Sequence, residues 1–269
     1  MIEVVAARVI LPNGRTLLDD LSFRLAAGEK VVLLGANGSG KSTLLKLLNG
    51  LIDADSGEVR WQGQPLSRRR LREREFAHAF RSRNVLLFQH PEAMLFNATV
   101  ADEIAYGVRH LAASDREARV KRYAAELGLG DFMSLPPFEL SGGEKQKLAL
   151  AALLVLEPDC LLLDEPTAHL DPRAMAWLVD WLLDAPQAAL ISTHNLSLAR
   201  ELANRCLVLG PTGCLLYDGP LADAVKDIDL MVAANLAHRH RHRHRYRLAG
   251  GDQALFHSHF HTHDWDATE

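Results

Sequence analysis

The sequence predicts an α/β fold built around a mainly parallel sheet. Three observations carry this. Short apolar runs recur at 30–34, 85–88, 160–163, 188–192 and 206–209, each the length of a buried strand. Helix-patterned segments separate them. One stretch, 99–134, keeps a helical pattern with no strand candidate, and reads as a separate helical lobe.

The elements follow in order. Ile2 to Leu11 is rich in Val and Ile and reads as a strand. Asn13-Gly14 is a turn signal, and Leu21 to Leu25 alternates as the returning strand. Lys30 to Leu34 is the first buried parallel strand. Lys41 to Asn49 carries Leu44, Leu45, Leu47 and Leu48 at helical spacing. Gly57 to Trp61 is a further short strand. The run SRRRLRERE, 67–75, reads as a solvated helix face, with a phosphate or lipid-headgroup patch as the alternative. Pro136-Pro137 closes the helical lobe. Leu148 to Leu156 is an apolar helix, and a further helix lies around Leu196 to Ala203.

Composition narrows the function. At 269 residues and 48% hydrophobic, the chain can bury a core in one or two lobes. A net charge of −4 excludes a general polyanion binder, and no nucleic-acid partner is expected. Cys160, Cys206 and Cys214 lack CxxC spacing and read as thiols of a reducing compartment. No apolar run approaches the roughly 20 residues of a membrane span, and no signal-like segment opens the chain. Any membrane role is expected to come through partners.

The chemistry concentrates in four places. Gly35, Ala36, Asn37, Gly38, Ser39, Gly40, Lys41, Ser42 and Thr43 (GANGSGKST) follow a buried strand and open a helix, the setting a phosphate-binding loop requires. Their backbone N–H groups and the helix N-terminus suit a β-phosphate. Lys41 can bridge the β- and γ-phosphates, and Ser42 can offer its hydroxyl to Mg²⁺. The strand 161–164 ends in Asp164, a candidate Mg²⁺ carboxylate, beside Glu165, a candidate base for an attacking water. Gln89 ends another strand, where it can reach Mg²⁺ and the water. His194 follows the next strand and can contact the γ-phosphate. Finally Ser141, Gly142 and Gly143, within LSGGE, form a second anion cradle at a helix start.

Together these segments resemble the ATP-binding-cassette ATPases. The resemblance covers about 1–225. Its carriers are GANGSGKST, Gln89, LSGGEKQ at 140–146, LLLDEPT at 161–167, Ala168-His169-Leu170-Asp171, and His194. It implies a P-loop fold with an N-terminal antiparallel β-subdomain and a helical subdomain at about 90–145. It implies a head-to-tail pair, a homodimer or two paired cassettes, with two ATP molecules at the interface. Each ATP sits between the phosphate loop of one copy and Ser141, Gly142 and Gly143 of the other, and Asp171 links the two sites. The family usually places an aromatic residue against adenine, where this chain has Leu11.

A single cassette without a long insertion fits a transporter subunit peripheral on the cytoplasmic face of the cell membrane. Residues 89–107, QHPEAMLFNATVADEIAYG, look like the segment by which energy-coupling-factor importer ATPases contact a membrane coupling protein. Pro91, Leu95, Phe96, Thr99, Val100 and Gly107 carry this likeness, while Met94 stands where those ATPases commonly have Gln.

Residues 226–269 are expected to be an extension ending in a His-rich tail without a fold of its own. His238, His240, His242 and His244 alternate with arginines. His257, His259, His261 and His263 alternate near Asp264 and Asp266, and form the better candidate site for Ni²⁺ or Co²⁺. The resulting expectation is an ATP- and Mg²⁺-dependent importer of a transition-metal ion, nickel favoured over cobalt by the family resemblance, working with membrane coupling and substrate-binding proteins. The alternatives are an importer of a vitamin or other small nutrient, and a soluble nucleotide-regulated metal buffer.

Overall fold

In the computed structural model the described residues are 1–168, 170–248 and 251–262, with only the backbone course described for 238–262. The N-terminal half holds β1 (Ile2–Ile10), β2 (Thr16–Leu25), β3 (Lys30–Leu34), α1 (Lys41–Leu48), β4 (Ser56–Trp61), β5 (Gln64–Pro65), α2 (Arg74–Arg83) and β6 (Asn84–Leu87). Next come α3 (Val100–Ala105), α4 (Ala113–Glu126), α5 (Gly142–Leu154), β7 (Cys160–Asp164), α6 (Pro172–Asp184), β8 (Ala188–Ser192), α7 (Leu196–Leu202) and β9 (Arg205–Leu209). Last come β10 (Leu215–Pro220), α8 (Leu221–Ala224), α9 (Ile228–Ala233), β11 (Ala237–Leu248) and β12 (Gly251–Thr262).

Two sheets carry the N-terminal and central strands. β2-β1-β4-β5 is antiparallel, and β10-β9-β3-β8-β7-β6 is parallel except for β10. This is the expected P-loop α/β architecture. The central strands read as apolar runs because helices and the second sheet cover both faces. All five residues of β7 and of β8 are buried. Phe80 and Trp61 pack edge to face at 5.4 Å where the two sheets meet. The strand-free stretch forms α3 and α4 against α5, as its periodicity implied.

Four features differ from the sequence reading. The charged run 67–75 is not one helix: it holds a single 3₁₀ turn at 70–72 before α2 begins at Arg74, and Ser67, Asp53 and Glu73 bind its polar groups. The edge strand β10 is additional. Core packing also continues past residue 225, where Met231, Ala234, Leu236 and Ala237 join the main cluster. The tail, expected without a fold of its own, has a ladder-paired backbone over β11 and β12. Strict two-residue alternation is the pattern a ladder requires. His169 and His263 lie outside the described residues.

Candidate functional site

The phosphate loop is shaped by glycine. Gly35, Gly38 and Gly40 have φ of 154°, 81° and 101°, in the region that favours residues without Cβ. A Cβ on Gly40 would lie 2.8 Å from the Leu17 carbonyl oxygen, so this loop and β2 touch backbone to backbone. Helix α1 starts at Lys41 with no side-chain cap and no acid in its first turn. Its first N–H groups therefore face the cavity with positive potential. Ser39 Oγ is buried without a hydrogen-bond partner. A polyanion resting on the loop would meet those N–H groups, and the donor set fits a nucleotide phosphate.

The loop opens on a cavity of about 430 Å³. Lys41 lies in its wall, 7% exposed. Its ammonium donates to the carbonyls of Gly35 (2.7 Å) and Ala36 (3.3 Å), and stands 3.9 Å from Glu165 Oε1. Burial pulls the Lys41 pKa below its ordinary value, while Glu165 and Asp164 oppose that shift. Ser42, Gln89, Asp164 and Glu165 line the same space.

The two acids are fixed by the neighbouring strand. β7 and β8 pair in parallel with Asp164 opposite Ser192. The Ser192 hydroxyl donates to Asp164 Oδ1 at 2.6 Å and accepts the Glu165 N–H at 3.0 Å. Glu165 has φ of 46°, a left-handed geometry uncommon outside glycine. That turn keeps its carboxylate, 6% exposed, at the strand end. Its Oε2 lies 3.0 Å from His194 Nδ1. A hydroxyl and a carboxylate beside loop amides suit octahedral Mg²⁺, which retains waters. Ser42 and Asp164 would hold it, with Gln89 at the rim.

The remaining expected residues lie elsewhere on the chain. Ser141 caps α5 in a complete capping box. Its N–H and hydroxyl both donate to Glu144 Oε2 at 2.7 Å, and its oxygen accepts the Glu144 N–H at 3.4 Å. Ser141 and Gly142 are exposed, Gly143 is half-buried, and none of them lines the phosphate cavity. Asp171 caps α6, accepting from the Ala174 N–H at 2.9 Å, which lowers its pKa. It faces a second recess beside Lys147 and Trp177. Leu11 is half-buried and is not part of the cavity wall.

Sequence reasoning missed three supporting side chains. Ser192 gave no signal, since its role depends on strand register. Glu144 stood three residues after Ser141, which is the capping-box spacing. Gln146 is 1% exposed and donates from Nε2 to the Pro166 carbonyl at 2.9 Å, anchoring α5 beside Glu165. Of the apolar trio after Gln89, Met94 and Leu95 pack partly buried against the core, and Phe96 is 66% exposed.

Comparisons with known proteins point to one family. The family pattern described as ABC transporter matches residues 18–168. The nickel import ATP-binding protein NikO of Rhodobacter capsulatus is 42% identical over 232 residues, covering 83% of this chain and 91% of NikO. A relative from Methanosarcina acetivorans, named for ABC transporter ATP binding without a cargo, is 37% identical over 231 residues, 83% of this chain and 84% of its own length. The structure of CbiO1 from Clostridium perfringens, part of the complex CbiONQ, superposes with a TM-score of 0.72 at 27% identity, covering 87% of this chain and 94% of CbiO1. By the family match and these relatives, the chain belongs to the ATP-hydrolysing subunits of ABC transporters.

Proposed function

We propose that this ATPase drives import of a transition-metal ion, with nickel favoured over cobalt. It would work as a peripheral subunit on the cytoplasmic face of the cell membrane, paired with a second cassette and bound to membrane coupling and substrate-binding proteins. Residues 1–225 act as the ATPase unit and 226–269 as its extension. Among the described residues no helix is long and apolar enough to cross a membrane.

In this reading Lys41 and the loop amides hold the phosphates. Glu165 takes a proton from the attacking water, and Gln89 and His194 orient it. Ser42 and Asp164 would hold Mg²⁺, which would supply charge neutralisation at the phosphates. Ser141, Gly142, Gly143 and Asp171 lie apart from the chain's own cavity, which suits a contribution to a second copy's site. Phe96 and Tyr106 form an exposed edge-to-face pair at 4.8 Å, with Arg109 over Tyr106. Glu103, 2% exposed, accepts the N–H groups of Phe96 and Asn97 and holds this loop. That surface suits contact with a membrane coupling protein.

The observation that carries the cargo is the histidine ladder. Backbone register sets His238 opposite His261, His240 opposite His259 and His242 opposite His257, so these six positions share one face of a hairpin. Imidazole suits nickel, cobalt, copper and zinc, and the likeness to NikO supports nickel. The test is radiolabelled nickel accumulation in cells with the native chain, Glu165→Gln, or a truncation after Asn235, with cobalt as competitor. Loss of uptake in Glu165→Gln supports metal import. Unchanged uptake of both metals turns the cargo to a vitamin or other small nutrient. A soluble metal buffer would recover no integral membrane protein in a pull-down.

A further inference from the structure

The wall of the phosphate cavity sorts by chemistry. Part comes from the loop and the first turn of α1, and part from Gln89, Asp164 and Glu165. Two lining residues remain, Arg15 and Leu17. A triphosphate laid on the loop amides still needs a surface for its base. We infer that Arg15 and Leu17 form that surface, with the Arg15 guanidinium stacked on the purine and Leu17 supplying aliphatic contact. The inference rests on the nucleotide reading of the cavity.

The backbone under this platform is fixed. The Arg15 N–H donates to Asn13 Oδ1 at 3.1 Å, and its carbonyl accepts the Leu11 N–H at 2.8 Å. Leu17 is clamped between two glycines. A Cβ on Gly40 would meet its carbonyl oxygen at 2.8 Å, and one on Gly213 at 1.9 Å. The guanidinium, by contrast, is exposed, and among the described residues it has no hydrogen bond or ion pair. An unpaired planar cation on a fixed stem, facing a nucleotide cavity, is prepared to lie on a π-face. Leu11, across the same turn, does not reach the cavity wall.

Stacking reads area and not the exocyclic groups of a base. The platform therefore separates purines from no base, and adenine from guanine hardly at all. The test is calorimetric titration of the full chain with ADP, GDP and pyrophosphate, the last as a base-free probe. The native chain binds ADP and GDP within about threefold of each other. Arg15→Ala weakens both by about fivefold and leaves pyrophosphate unchanged. Arg15→Tyr restores both, and Arg15→Lys, which keeps charge but not the plane, restores less. Equal weakening of pyrophosphate would make Arg15 a phosphate contact and overturn the inference. Unchanged ADP and GDP binding in Arg15→Ala would also overturn it. A native chain that binds none of the three would overturn the nucleotide reading itself.

Discussion

His194 Nδ1 and Glu165 Oε2 are 3.0 Å apart, and the other oxygen of Glu165 faces the buried Lys41 ammonium at 3.9 Å. The carboxylate is thus held from both sides at the mouth of the phosphate cavity. Replacing it by an amide keeps the shape and removes the base. Glu165→Gln is expected to retain ATP binding and lose at least about 100-fold in hydrolysis. Phosphate-release kinetics beside equilibrium ATP binding check both halves. His194→Ala should lose less, since it removes orientation and leaves the base.

Ser192 serves both acids with one hydroxyl. Ser192→Ala leaves Asp164 Oδ1 without that partner in a buried setting, while the Glu165 N–H keeps the Ser192 carbonyl at 3.2 Å. The expected cost is about 1–3 kcal/mol, read by urea denaturation. Mg²⁺-dependent ATP hydrolysis should fall further than ATP binding without the metal.

The capping box makes α5 acid-sensitive. Hydrogen bonds from the Ser141 hydroxyl and N–H hold the Glu144 carboxyl below its ordinary 4.5. Its contribution is present above that ordinary value and is lost as pH falls through the lowered one. The stability gap between the native chain and Glu144→Gln should be full at pH 7 and shrink below about pH 4.5. Melting curves across pH 3–7 measure it. Ser141→Ala should cost about 1 kcal/mol at neutral pH.

Thiol chemistry should single out Cys214. Burial pushes the Cys160 and Cys206 thiols up to about 12, and both are fully buried. Their thiolate fraction at pH 8 is about one in ten thousand. Cys214 is only partly buried. Iodoacetamide followed by mass mapping should label Cys214 alone in the native chain and all three cysteines after denaturation.

Gly213 has φ of 77°, and its Cβ would fall 1.9 Å from the Leu17 carbonyl oxygen. Gly213→Ala must therefore displace β2 where it borders the phosphate loop. The expected outcome is a loss of more than about 1 kcal/mol in stability together with weaker ADP binding, read by thermal melting with and without ADP.

The central strands and the loop were legible because each is encoded locally. Four or five consecutive apolar residues mark β3, β6, β7, β8 and β9, and glycines at fixed spacing mark a backbone that admits no Cβ. Asp164 and Glu165 were legible as the end of such a run. β10 was not. Its residues alternate between half-buried and exposed, and Gly219-Pro220 closes it, which is edge-strand chemistry. Ser192 was hidden because its function is set by pairing between β7 and β8. Arg15 was hidden because an exposed arginine in a turn gains meaning only from the cavity beside it. In the tail, composition pointed away from order while the two-residue period pointed towards a ladder.

Gln146 gives α5 a consequence beyond packing. It lies less than two helical turns from Ser141, and its amide grips the carbonyl of Pro166, the residue after Glu165. This bond ties the exposed start of the helix to the segment that carries Glu165. In the proposed pairing of two cassettes, engagement of Ser141 by the second copy would thereby reach Glu165, and the timing of each site would be set from outside it.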